Sequence, residues 1–136
     1  MKKLFFTLSF ILFSLILTAQ TYYKATLTEM YTLDNVTKEW NLYQKNSDVS
    51  ITVVVEPGFI SFQAKKPTMY KVYENTKEAV NTKSLSGYRY TGKDLREDQM
   101  VKIDVLAHKE SKTAIVSIIN YTDGYNFRFF LTEVIE

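Results

Sequence analysis

Past residue 20, apolar side chains in this 136-residue chain recur at every second position rather than every third or fourth. Val101-Lys102-Ile103-Asp104-Val105 is one such run and Ile60-Ser61-Phe62 is another. A period of two sends alternate side chains to opposite faces of a pleated strand, so each run has one face to hide. Val, Ile, Thr, Tyr and Phe dominate these runs, the residues that fit a half-buried sheet surface. Strands are read near 22–33, 39–44, 49–56, 59–64, 69–74, 86–91, 100–107, 112–120 and 125–134. The gaps between them are short and hold Asn, Asp, Gly, Pro, Ser and Lys, which are turn formers. A parallel pair needs a crossover of a dozen or more residues, and no crossover helix of that kind separates the strands. Sequence neighbours should therefore pair antiparallel.

The expected fold is all-β: an antiparallel meander of eight or nine short strands, closed into a barrel or curled into a half-barrel so that one apolar face is covered. The one helical signal is Asn75 followed three residues later by Glu78, a capping pattern that predicts a short helix near 76–83. The architecture resembles that of lipocalins. The Gly-x-Trp start of that family is absent, since Trp40 follows Lys38-Glu39, and no lipocalin residue carries over.

Register gives the meander a finer test, because directly opposed residues share a face and a one-residue slip inverts it. Four-residue loops at 35–38 and 45–48 set Leu33 against Trp40, Tyr31 against Leu42, Glu29 against Gln44, Leu42 against Ile51 and Trp40 against Val53. A two-residue Pro57-Gly58 turn sets Val55 against Ile60 and Val53 against Phe62. A loop at 108–111 sets Val105 against Ala114 and Ile103 against Val116. A loop at 121–124 sets Ile118 against Phe127, Val116 against Phe129 and Ala114 against Leu131. On this register Tyr31, Trp40, Val53, Phe62, Phe127 and Phe129 line one interior, with Glu29 and Gln44 at its mouth.

The first residues read as an address. Met1-Lys2-Lys3 precedes an uncharged run from Leu4 to Leu17, which has the length of a secretory core and falls short of the ~20 residues a membrane span requires. Cleavage is expected after Ala19. Residues 1–19 would then be a signal peptide and 20–136 a single β domain, exported to the periplasm, cell surface or medium, with no stable membrane span. Losing Lys2 and Lys3 takes the basic residues from 17 to 15, level with the 15 acidic ones. A neutral domain lacks the cationic surplus that nucleic acid requires. The chain has no Cys, so its stability rests on packing and pairing rather than on disulfides.

Little in the chain points to catalysis. Without Cys there is no thiol nucleophile or thiolate metal site, and one histidine, His108 in a charged turn, cannot build a multi-histidine metal centre. Asp94, Glu97 and Asp98 share a polar loop without the spacing of a calcium loop. No cofactor is expected. The ten tyrosines suit either strands or recognition surfaces. The sequence therefore predicts a small non-catalytic binding or interaction module, taking a small apolar ligand or a protein partner. Its ligand would be held by Glu29, Tyr31, Trp40, Gln44, Phe62 and Phe127. The rival is a structural or assembly subunit using a second apolar face, formed by Leu106, Ile115, Ile119 and Phe130 on the outward phase, where a homo-oligomer could form. A hydrolase with acidic groups around Glu29 ranks third.

Overall fold

The computed structural model describes residues 21–111 and 113–133. The expected export segment lies outside them. Nine strands follow one another: β1 (Thr21–Leu33), β2 (Trp40–Asn46), β3 (Ile51–Glu56), β4 (Phe59–Gln63), β5 (Thr68–Asn81), β6 (Leu85–Asp94), β7 (Gln99–His108), β8 (Thr113–Asn120) and β9 (Tyr125–Glu133). Every pairing is antiparallel. Eight strands close a barrel in the order β1-β3-β4-β5-β6-β7-β8-β9, with β9 returning to β1. The ninth, β2, lies outside this ring. It extends the edge of β1 beyond β3, pairing with Thr28–Leu33 while β3 pairs with Thr21–Ala25.

Turn chemistry explains why the chain reverses where it does. Asp34 accepts hydrogen bonds from the N–H groups of Val36 and Thr37 at 2.8 and 3.1 Å, and these bonds pull its carboxyl below the usual range. Asp94 likewise accepts the N–H groups of Arg96 and Glu97 at 2.9 and 3.2 Å, Asn46 that of Asp48 at 3.1 Å and Asn120 that of Asp123 at 2.9 Å. In each case a short polar side chain stands in for a backbone carbonyl, which fixes the turn locally. The Pro57-Gly58 turn forms as expected between Glu56 and Phe59, with Gly58 at φ +78°. That angle matches the third residue of a type II turn, where an L side chain would be strained.

The interior is filled from all eight ring strands. Val53, Ile60, Ile103, Val116, Ile118 and Leu131 are at most 1% exposed. Phe62 stacks on Phe129 with ring centroids 4.2 Å apart and meets Tyr70 edge-on at 5.7 Å. The expected Val55–Ile60, Val53–Phe62, Ile118–Phe127, Val116–Phe129 and Ala114–Leu131 pairs are all present.

Four expectations are corrected. First, 76–83 is not a helix: β5 runs through to Asn81. Thr76 donates its hydroxyl to the Tyr73 carbonyl at 2.6 Å and accepts the Thr91 N–H at 2.7 Å, stitching a bulge between Tyr73 and Glu78. The segment has only Ala79 and Val80 as apolar residues, too few for the buried stripe of a helix. Pairing with β6 satisfies its backbone instead.

Second, β7 ends one residue later than expected, at His108, and β8 starts one residue later, at Thr113, so Val105 faces Val116 and Ile103 faces Ile118. A slip of two keeps every side chain on its face, and the core is unchanged.

Third, β2 and β3 lie end to end along the same edge of β1. The Leu42–Ile51 and Trp40–Val53 pairs therefore do not exist.

Fourth, bulges invert the phase of β1. Ala25 faces Leu131 in the core, but after a shift between Ala25 and Leu27 it is Thr28 and Met30 that face Phe129 and Phe127. Glu29, Tyr31 and Leu33 consequently point outward. A second shift between Met30 and Tyr31 sets Glu29 against Lys45 and Met30 against Gln44, in place of Glu29 against Gln44.

A candidate binding groove on the outer face

Those bulges move half of the expected site from the inside of the barrel to the outside. Phe62 and Phe127 are inside, where Phe62 is buried and Phe127 packs against the core. Glu29 and Tyr31 are on the outer face of β1, tied to one another by a Tyr31 O–H donated to Glu29 Oε1 at 2.9 Å. Burial raises the Tyr31 phenol above its ordinary range, and the bond to Glu29 adds to this while Arg128 opposes it. Gln44 is exposed on β2. Trp40 follows Leu33 to the outer side and meets Tyr121, of the β8–β9 turn, with ring centroids 6.0 Å apart.

The second expected set, Leu106, Ile115 and Ile119, projects outward from β7 and β8, and Phe130 stands beside it on β9, opposite Ile115. Leu106 and Ile115 are 8% exposed, Ile119 is 5% exposed and Phe130 is half-buried. The three aliphatic residues belong to the lining of an outer groove of about 280 Å³, and Trp40 and Tyr121 line it too. Of the expected ligand set only Trp40 lines this groove, and of the outer-face set Phe130 is not part of its lining.

A row of polar residues, most of them outside the expected site, crosses the same groove. Register places Glu78, Arg89, Asp104, Ser117, Arg128, Glu29 and Lys45 in one row across β5, β6, β7, β8, β9, β1 and β2. Residues directly opposite on adjacent strands share a face, so the row is a belt around the outside of the barrel. Arg89 donates Nε and Nη2 to the two oxygens of Asp104 at 2.6 and 2.9 Å. Those bonds, followed by the carboxylate's charge, hold the guanidinium above its ordinary range against the opposing effect of burial. Arg128 lies over Tyr31, its guanidinium carbon 4.5 Å from the ring centroid. Among the described residues it makes no ion pair.

Asn126, two residues before Arg128 on the same face, completes the groove. It is 3% exposed, and its Oδ1 has no hydrogen-bond partner. Buried amide oxygens are almost always satisfied, so an orphan at a groove calls for an explanation. The signal for Asp104, Asn126 and Arg128 was present in the sequence: each is a polar residue inside an apolar strand run, on the phase that also carries Leu106, Ile115 and Ile119. Alternation shows that such a residue points away from the core but not what it meets there.

A second cavity, of about 450 Å³, lies between the β5–β6 and β7–β8 turns and is lined by Lys83, Ser84, His108, Glu110 and Ser111. His108 ends β7, its Nδ1 2.8 Å from the Thr113 hydroxyl. Among the described residues no three His, Cys, Asp or Glu side chains gather as a metal site would need, and no helix is long and apolar enough to cross a membrane. Comparison with protein-family models, curated proteins and solved structures finds no match to this chain.

Proposed function

We propose that this chain is a small exported β domain acting as a non-catalytic binding module, and that its outer groove holds a small, largely apolar ligand or a segment of a protein partner. The observation that carries the reading is the groove itself, in which the apolar Trp40, Leu106, Ile115, Ile119 and Tyr121 stand beside fixed polar groups, the Arg89–Asp104 pair among them. A few fixed polar groups among apolar walls is the usual composition of a ligand site. Of the neighbouring charged groups, Arg89 is committed to Asp104 and Glu29 to Tyr31. They hold one another in place rather than offering an acid and a base to a substrate. The charge-free run from Leu4 to Leu17 supports export.

The test is a titration of the isotope-labelled protein with indole and with phenol, followed by two-dimensional nuclear magnetic resonance. Shifts concentrated at Ile119, Tyr121, Asn126 and Arg128 are expected. Shifts confined to interior residues such as Phe62 and Val116, or no shifts from either probe, would overturn the reading.

A further inference from the structure

Among the described residues β2 is the one strand with a single neighbour. Its backbone pairs only with β1, so the N–H and C=O groups along its other edge have no strand to bond. Every residue from Asn41 to Asn46 is exposed, Leu42 at 52% and Tyr43 at 69%. An open edge is a template for another strand, and sheets commonly guard theirs with proline or with charge. β2 holds no proline and one charged residue, Lys45. The other unpaired stretch, on β5 beyond Lys71, is guarded by Glu74, Lys77 and Glu78.

We propose that this edge pairs with the same edge of a second copy, antiparallel about a twofold axis between Leu42 and Tyr43. The strand's own bulge makes it self-complementary. Tyr31 faces Leu42 while Met30 faces Gln44, so Tyr43 is the extra residue. The register with β1 puts Trp40, Leu42 and Lys45 on the outer face, and Asn41 and Gln44 on the inner one. Directly opposed residues must share a face. With the axis between Leu42 and Tyr43, Trp40 meets Lys45, Asn41 meets Gln44 and Leu42 meets Tyr43, each pair occurring twice. Outer residues stand against outer and inner against inner. An ammonium is set beside an indole, and two amides that can exchange hydrogen bonds are opposed. The two most exposed apolar side chains of the strand cover one another. No like charges meet. A contact in which the same patch serves both partners closes on itself, giving a dimer rather than a fibre.

Sedimentation velocity over a concentration series tests the pairing. The protein should pass from monomer to dimer as its concentration rises. Asn41→Lys with Gln44→Lys sets lysine against lysine at both inner pairs and should raise the dissociation constant of the dimer roughly tenfold. Asn41→Lys with Gln44→Glu sets lysine against glutamate at the same two places and should restore the dimer. Both positions are exposed, so the urea midpoint of the dilute monomer should be the same in all three forms, which separates lost pairing from lost folding. A wild-type protein that stays monomeric up to about 1 mM would overturn the proposal and leave the edge to a strand of another protein. A dimer that the lysine pair leaves intact would overturn it by placing the contact elsewhere. A dimer lost in the lysine pair and not restored by the lysine–glutamate pair would overturn this register.

Discussion

Arg89 on β6 and Asp104 on β7 stand directly opposite one another outside the barrel and share two parallel hydrogen bonds of 2.6 and 2.9 Å. Only 9% of the Asp104 side chain meets solvent, against 37% for Arg89. The carboxylate has thus given up most of its water and depends on the guanidinium. Arg89→Met should cost about 1–3 kcal/mol of stability, below the value for a fully buried pair because Arg89 itself is partly screened by solvent. Arg89→Lys should recover only part, since an ammonium cannot reproduce the two-pronged geometry. Arg89→Met combined with Asp104→Leu should be more stable than Arg89→Met alone, because no carboxylate is then stranded. Urea denaturation of the three variants checks the order.

Alkaline pH should weaken the fold through tyrosines. Tyr90 is buried in the core and its phenol is pushed up to about 12, first by desolvation and then by Glu74 and Tyr88. Tyr70 is raised further, chiefly by burial and by Asp94. An unfolded tyrosine releases its proton near pH 10. Between about pH 10 and about pH 12 the folded protein keeps protons that the unfolded chain has lost, so raising the pH favours unfolding. The stabilising contribution of both phenols is complete below about pH 10. Both fall as the pH rises from there: that of Tyr90 is lost by about pH 12, and that of Tyr70 goes on falling beyond it. Urea midpoints measured across this range should fall steadily, and Tyr90→Phe should make the fall shallower. A midpoint that holds level through the range would contradict the burial of these rings.

Two aromatic residues on different strands should respond very differently to truncation. Phe62 is 3% exposed, stacked on Phe129 and edge-on to Tyr70. Phe62→Ala should cost about 3–5 kcal/mol. Trp40 is half-buried on β2, outside the ring of eight strands, with Tyr121 as its aromatic neighbour. Trp40→Ala should cost less than about 2 kcal/mol, since it opens no cavity in the core. Trp40 is also the only tryptophan in the chain, so its fluorescence reports the groove rather than the interior. Tyr121→Ala should increase quenching of that emission by iodide while the urea midpoint moves little. Comparable losses from Phe62→Ala and Trp40→Ala would mean that Trp40 belongs to the core after all.

The same two residues show what alternation can and cannot reveal. Strand identity, antiparallel pairing and most of the core were legible, because a side-chain period of two is a direct imprint of the pleat and a two-residue slip leaves it intact. Phe62 is where that imprint puts it. Trp40 is not, because a bulge adds one residue to one strand and reverses the phase of everything after it. No residue type announces a bulge between Ala25 and Leu27, so Glu29 and Tyr31 were read with the core. The 76–83 segment failed for a related reason: Asn75 and Glu78 have the spacing of a helix cap, but a cap needs an apolar stripe behind it to make a helix worth forming, and β6 offered pairing instead. The groove itself arises only when four strands are laid side by side. Asp104, Ser117 and Arg128 each look like an ordinary outward polar residue until register aligns them.

Two glycines test the barrel from opposite directions. Gly58 has open space where a side chain would project, but its φ of +78° disfavours any L residue. Gly58→Ala should therefore cost about 1 kcal/mol from backbone strain alone. Gly92 has no such strain and no room. It lies between Val72 of β5 and Val101 of β7, and a Cβ there would run into the Ile103 side chain and come within 2.7 Å of the Lys71 carbonyl oxygen. Ile103 is fully buried and cannot swing away, and a carbonyl in the sheet ladder cannot retreat without breaking its pairing. Gly92→Ala should cost about 1–3 kcal/mol, the range for overpacking a closed core. Adding Ile103→Val shortens the side chain in the way but leaves the carbonyl, so the double variant should regain only a fraction of the loss. Full recovery in the double variant would show that the side chain alone sets the limit; no loss from Gly92→Ala would mean that β5 and β6 approach less closely than this barrel requires.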